Sequence, residues 1–144
     1  MSVIDTISVF ICSGCEIGTC LDCSGLEKIA RENTDVTKVV VHDRLCHEEG
    51  LDLIREGILE NPGSSVLIAA CSPRIKTTEF SFGSEIQLER VNIREQVVYC
   101  QPAGEEDTQM MAEDYLRMGM AKLKFTQLPT AFIPEITCMD ILVV

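Results

Sequence analysis

The sequence predicts an α/β fold with an open parallel sheet of about four strands and helices on both faces. The run Val66 to Ala70 is entirely apolar, as expected for a strand that is covered on both sides in a parallel sheet. Strand-like and helix-like segments alternate along the chain, as they do in β-α-β units. Each of the first three strand-like segments is followed closely by a cysteine. These observations place the candidate chemistry at one edge of the predicted sheet.

Local patterns predict the first strand, the first helix and the second strand. Residues 6–11, T-I-S-V-F-I, are mostly apolar and rich in β-branched side chains, which favours a strand. Ser24 and Glu27 fit the capping-box pattern, and the apolar spacing that follows predicts a helix over residues 25–33. Residues 36–41 are again mostly β-branched and predict the second strand.

The second helix has clear signals at both ends. It is expected to begin at His47, where Glu48 and Glu49 occupy the first turn and favour the helix dipole. Apolar residues then recur at helical spacing until N-P-G at 61–63, a sequence that ends helices.

Three further elements complete the predicted fold. Residues 65–70 form the third strand, and a short helix is expected after Pro73, which fits a first helical turn. Residues 86–91 indicate a fourth, weaker strand, and residues 104–125 predict the longest helix, acidic at its start and basic at its end. This order of elements is typical of Rossmann-like and flavodoxin-like folds.

The chain as a whole predicts one domain and an irregular tail. Its 144 residues are 46% hydrophobic, enough for one core. The α/β domain is expected to span residues 1–128. Residues 129–144 form a tail or linker with a proline at each end of 129–134 and a strand-like finish, I-L-V-V. We expect this tail to lead toward a domain that is absent from the sequence.

Charge and hydropathy exclude two classes of partner. The formal net charge of −11 disfavours nucleic acid, because a polyanion is repelled by an acidic surface. No apolar run approaches the length of a membrane span, and the amino terminus lacks the basic region of a signal peptide. We therefore expect a cytoplasmic protein.

Eight cysteines in a cytoplasmic chain of this size predict metal or redox chemistry before disulfides. In a parallel sheet the loops after the first three strands meet at one edge, which brings Cys12 or Cys15 close to Cys46 and Cys71. Three thiols from separate loops, completed by a fourth from the C-x-x-C at 12–15, match the ligand shell of a 4Fe-4S cluster. Zinc is the alternative metal, although its four-thiolate sites usually come from paired short knuckles.

Two other sites use the first cysteine cluster alone. Cys12, Cys15, Cys20 and Cys23 form C-x2-C-x4-C-x2-C and provide a purely local four-cysteine metal site. The C-x-x-C after a strand is also compatible with a metal-independent thiol/disulfide oxidoreductase. Against that activity, the next helix is expected only near residue 25, too late to lower a thiol pKa through its amino terminus. Arg74 and Arg94 are candidates to place positive charge beside a cluster and raise its potential.

Three sequence features together resemble a known family. They are A-C-S-P-R at 70–74, V-N-I-R-E-Q at 91–96 and the cysteine-bearing loop after the first strand. In this order and at this spacing before a long helix, they resemble the N-terminal domain of the heterodisulfide reductase flavoprotein HdrA and its relatives. The resemblance covers roughly residues 6–128. It implies an electron-transfer domain that carries a 4Fe-4S cluster and precedes an FAD-binding domain in a complex with other iron–sulfur subunits.

The resemblance also implies which cysteines bind the cluster. The family's cysteines after the first strand, at the opening of the second helix and in A-C-S-P-R match Cys12, Cys46 and Cys71. Cys15 is the expected fourth ligand, with Cys20 or Cys23 as substitutes. The family's G-x-G-x-x-G is missing from this sequence, so FAD is expected only on a partner domain or subunit. The chain is therefore expected to transfer electrons without catalysing a reaction by itself.

Overall fold

One four-stranded, fully parallel sheet organises the computed structural model, which describes residues 6–133 and 135. The strands are β1 (Ile7–Cys12), β2 (Val36–His42), β3 (Ser65–Ala70) and β4 (Leu88–Asn92). The α-helices are α1 (Ile17–Cys20), α2 (Cys23–Glu32), α3 (Glu48–Glu60) and α4 (Glu106–Phe125), and a π-helix spans Arg94–Val98. The predicted fold class is confirmed.

The order of the strands across the sheet is β2-β1-β3-β4, and burial follows this order. Every residue of β1 and β3 is buried, because each of these strands has a neighbour on both sides and a layer of helices on both faces. The edge strands β2 and β4 are mostly half-buried. The run of apolar residues at 66–70 is therefore the mark of a central strand.

Helices cover both faces of the sheet, as predicted. Gly57 of α3 lies directly against the ring of Phe10, whereas Gly119 of α4 lies against Leu67 and Val91. Phe10 pairs with Ile68, so its side chain and that of Leu67 point to opposite faces of the sheet. The helix α2 contacts α4 and therefore shares its face. None of the helices within residues 6–133 combines the length and apolar character that a bilayer crossing requires.

Three details of the predicted elements are wrong or lie outside the described residues. The segment after Pro73 forms successive turns, not a helix. The short helix α1 was not predicted, and the helix expected at 25–33 starts earlier, at Cys23. Its cap is Asp22, whose carboxylate accepts a hydrogen bond from the backbone N–H of Ser24 at 3.0 Å. The strand-like finish at 136–144 lies outside the described residues.

Candidate iron–sulfur site

The carboxyl edge of the sheet collects the predicted ligands. Cys12 is the last residue of β1, Cys71 directly follows β3, and Cys46 lies between β2 and the start of α3. The chain moves to one side of β1 to form β2 and to the other side to form β3, so a topological switch point lies between β1 and β3. Open α/β sheets bind ligands in the crevice outside this point. Cys12 and Cys71 flank it. The sequence predicted that they share the carboxyl edge but not that a switch point lies between them.

Close backbone contact joins the loops after β1 and β2. The N–H of Ser13 donates to the carbonyl oxygen of His42 at 3.0 Å, which extends the strand pairing into the loops. A Cβ atom on Gly14 would overlap the carbonyl oxygen of Asp43, and one on Gly50 would overlap the backbone at 44–45. Glycine is therefore required at position 14 for the loops after β1 and β2 to approach this closely, and at position 50 for the first turn of α3 to pack against the residues that precede it.

The Cys12 thiol lies inside this contact. Its sulfur lies 3.7 Å from the carbonyl oxygen of Asp43, to which the thiol donates. Burial raises the pKa of Cys12, and hydrogen bonding with the backbone of Leu45 and Gly14 lowers it by less. The neighbouring Cys15 and Cys46 also oppose ionisation of Cys12, so these three predicted ligands are near enough to influence one another.

Cys15 is exposed on an unusual turn. Its φ is 51°, and that of Glu16 is 70°, so two successive residues with side chains adopt the left-handed conformation. The helix α1 begins at Ile17, directly after this turn, so the expectation that no helix starts before residue 25 is wrong. Because α1 has only four residues, it provides little dipole to activate a thiol.

Arg90 contacts one of the predicted ligands, although the sequence patterns did not indicate it. Its Nη2 atom lies 3.3 Å from the Cys71 sulfur. Burial raises the pKa of Cys71. The positive charge of Arg90, and next in size that of Arg94, lowers this pKa, but burial has the larger effect. Two arginines were predicted to lie near the cluster. Arg94 lies near enough to Cys71 to lower its pKa. Arg74 is exposed, and its backbone N–H donates to the Ser72 hydroxyl. Only the pairing of Arg90 with Ile68, which the sequence does not reveal, brings Arg90 to this edge.

Glu95 connects the two motifs that carry the family resemblance. Its Oε2 accepts the backbone N–H of Ser72 at 2.7 Å, and its Oε1 accepts Arg94 Nη2 at 2.6 Å. The N–H of Glu95 donates to Asn92 Oδ1 at 3.0 Å, which starts the π-helix. The segments A-C-S-P-R and V-N-I-R-E-Q are therefore one structural unit, in which the second fixes the loop that presents Cys71.

We expect Glu95→Gln to destabilise the fold by about 1.5–3 kcal/mol at neutral pH, because its charged hydrogen bonds are lost. Burial opposes the ionisation of Glu95, but Arg94 and backbone donors outweigh it and hold the pKa below its ordinary value of 4.5. A depressed folded-state pKa contributes stability that is fully present above 4.5 and is lost as pH falls through the folded-state pKa. In urea unfolding experiments, the difference in unfolding free energy between wild type and Glu95→Gln should therefore shrink as the pH falls below 4.5 and through the folded-state pKa.

Glu89→Gln is the matched control for this experiment. Glu89 pairs with Lys122 at 2.7 Å, and because the Lys122 side chain is 62% exposed, water screens the pair and it contributes little. A Glu95→Gln loss that is no larger than the loss in Glu89→Gln would contradict the role of Glu95 as the link between the two motifs.

The remaining described cysteines differ in their distance from the site. Cys23 is the first residue of α2. Its pKa is raised mainly by burial and to a smaller extent by Asp22 and by Cys12, so Cys23 lies near Cys12. Cys20 ends α1 and is half-buried. Cys100 is exposed, and its thiol donates to the carbonyl oxygen of Glu95 at 2.9 Å. Of the two predicted substitutes for the fourth ligand, Cys23 is thus one that lies near Cys12.

The donor set fits a cluster better than a single ion. Within the described residues, no group of three or more His, Cys, Asp or Glu side chains is close enough to hold one metal ion. A 4Fe-4S cluster takes one thiolate at each of four separate irons, so its ligands need not converge on a point. The thiols at this edge therefore have the ligand chemistry of such a group.

Comparisons with known proteins identify relatives of the chain. No protein-family model matches the chain. The chain is 36% identical over 129 residues to the HdrA subunit of the ferredoxin:CoB-CoM heterodisulfide reductase of Methanosarcina mazei, a match that covers 83% of this chain and 16% of the relative. It is 27% identical over 125 residues to the HdrA subunit of the H2/formate:CoB-CoM heterodisulfide,ferredoxin reductase of Methanococcus maripaludis, covering 82% of this chain and 19% of the relative.

A third relative is named for its metal cofactor. The iron-sulfur HdrA subunit of the CoB–CoM heterodisulfide reductase of Methanocaldococcus jannaschii is 32% identical over 96 residues, which cover 62% of this chain and 15% of the relative. The chain spans less than a fifth of the length of each of these relatives. The identity to several such subunits over most of the chain shows that it is a domain related to the HdrA subunits of the heterodisulfide reductases.

Proposed function

We propose that the chain is an electron-transfer module that binds a 4Fe-4S cluster through Cys12, Cys15, Cys46 and Cys71. The observation that carries this proposal is the meeting of three strand-end loops, each with a thiol, at the switch point of the sheet. A cluster of this type takes up and releases one electron at a time without a change in its ligands. Two relatives, from Methanopyrus kandleri and Methanocaldococcus jannaschii, carry the words "iron-sulfur subunit" in their names.

The residues around the thiols would hold and tune such a group. Hydrogen bonding with the backbone of Leu45 and Gly14 favours the Cys12 thiolate, and Arg90 donates to the Cys71 sulfur. Hydrogen bonds and positive charge near a cluster raise its reduction potential. Cys12 and Cys71 are each only 8% exposed, whereas Cys15 is exposed, so electrons would enter or leave most easily on the side of Cys15.

The proposed partners follow from the names of the relatives. These relatives are subunits of heterodisulfide reductases, and two of the names include ferredoxin. We therefore propose that this domain exchanges electrons with an FAD-binding subunit or domain, and with other iron–sulfur subunits of a cytoplasmic complex. Residues 1–128 would form the cluster domain, and residues 129–144 would connect it to such a partner.

The two alternative functions have less support. A thiol/disulfide oxidoreductase needs a thiol with a depressed pKa, whereas the pKa values of Cys12, Cys23 and Cys71 are raised, in each case mainly by burial. A zinc-binding interaction domain needs four ligands around one ion, and the described side chains provide no such group.

Metal and sulfide analysis of the chain purified without oxygen tests the proposal. We expect iron and acid-labile sulfide in equal amounts, and an absorption spectrum that bleaches on reduction. Iron-free protein with bound zinc would support the zinc alternative instead. Metal-free protein that reduces disulfides with turnover would support the oxidoreductase. Anaerobic handling is essential, because oxidation of the thiols would remove the ligands.

A further inference from the structure

Arg90 fixes the loop after β3 through its whole guanidinium group. Nη1 donates to the carbonyl oxygen of Ile75 at 2.7 Å, and Nη2 lies 3.0 Å from that of Ser72 and 3.3 Å from that of Cys71. The guanidinium also lies 4.6 Å from the centre of the Phe80 ring. Arg90 therefore binds both the backbone and the sulfur of the segment that carries Cys71.

This guanidinium has no carboxylate partner. Among the ion pairs of residues 6–133 none includes Arg90, although Glu79 and Glu95 are near enough to interact with it at longer range. Its Nε atom is buried and has no hydrogen-bond partner. Buried charges in proteins are normally paired with an opposite charge. The Cys71 sulfur is the group in hydrogen-bond contact that can become anionic, and it does so when it binds a metal.

We propose that Arg90 is the counter-ion of the Cys71 thiolate and a positioning residue that raises the reduction potential of the bound cluster. This inference rests on the proposed function. Reduction adds a negative charge to the cluster, and a guanidinium in a half-buried site stabilises that charge more than one in water would.

Redox titration of anaerobically purified variants tests this role. In Arg90→Gln the reduced cluster loses its counter-ion, so we expect the reduced-to-oxidised ratio at a fixed potential to fall about tenfold, equivalent to about 59 mV for one electron. Arg90→Lys keeps a charge but not the planar fork, so a smaller shift in the same direction is expected. Arg74→Gln is the control, since Arg74 is exposed on the same loop, and its potential should equal that of wild type.

The possible outcomes separate the role of Arg90 from the presence of the cluster. A wild-type chain without iron and sulfide would overturn both proposals. A loaded Arg90→Gln protein with an unchanged potential would overturn the counter-ion role alone and leave cluster binding intact. Should Arg90→Gln not fold by circular dichroism, the Arg90→Lys potential decides: a negative shift relative to Arg74→Gln supports the role, and equality contradicts it. A purely structural role would lower the iron content but not the potential of the cluster that remains.

Discussion

Cys71→Ala should lose most of its bound iron or keep a cluster reduced to a three-iron form. Cys71 is 8% exposed at the end of β3, on the far side of the switch point from Cys46. Alanine cannot ligate iron, so one corner of the cluster would be left without a protein ligand. Iron content per chain and the electron paramagnetic resonance spectrum of anaerobic protein measure the effect.

Two further cysteine variants serve as controls for Cys71→Ala. Cys100→Ala removes an exposed thiol that bonds only the Glu95 carbonyl oxygen, and it should keep full iron. Cys20→Ala should also be nearly silent if the ligands come from three loops, but destructive if Cys12, Cys15, Cys20 and Cys23 form a local site. A normal four-iron spectrum in Cys71→Ala, together with iron loss in Cys20→Ala, would move the site into the loop after β1.

Gly14→Ala should abolish cluster binding in an otherwise folded protein. A methyl group at this position would overlap the carbonyl oxygen of Asp43, and a backbone atom cannot rotate away as a side chain does. The loops after β1 and β2 would have to separate, which moves Cys46 and Cys15 away from Cys12. We expect iron to be lost while far-ultraviolet circular dichroism stays close to that of wild type.

Gly25→Ala is the matched control, because it adds the same methyl group within α2. The nearest atoms there are side-chain atoms of Asp22 and Gln109 at 3.1 and 3.2 Å, and alanine favours a helix. Full iron is expected in this variant. Full iron in Gly14→Ala as well would show that the close backbone contact is not needed to assemble the site.

The central strands and α3 were predictable because their signals are local. A strand with neighbours on both sides and helices on both faces must be apolar throughout, and residues 65–70 show this directly. In α3, two acidic residues at the start and N-P-G at the end define the helix without any tertiary information. Once these elements were assigned, the common edge for Cys12, Cys46 and Cys71 followed from parallel topology.

Arg90 and α1 were not predictable because they depend on tertiary contacts. The sequence shows an arginine in a weak edge strand, but its contact with Cys71 depends on the register between β3 and β4. The four residues of α1 are too few to show helical periodicity, and their position follows from the left-handed turn at Cys15 and Glu16. The helix α2 is capped by Asp22 and not, as predicted, by Ser24. Aspartate and serine are both favoured at the cap position, so the sequence alone does not distinguish them.

The backbone contact between the loops after β1 and β2 has a consequence for how this domain can diverge. The carbonyl oxygen of Asp43 occupies the space that a Cβ atom at position 14 would fill. Any residue other than glycine at position 14 would therefore force the two loops apart. The contact at position 43 is made by a main-chain atom, which every residue has, so the side chain at position 43 can change where the one at position 14 cannot.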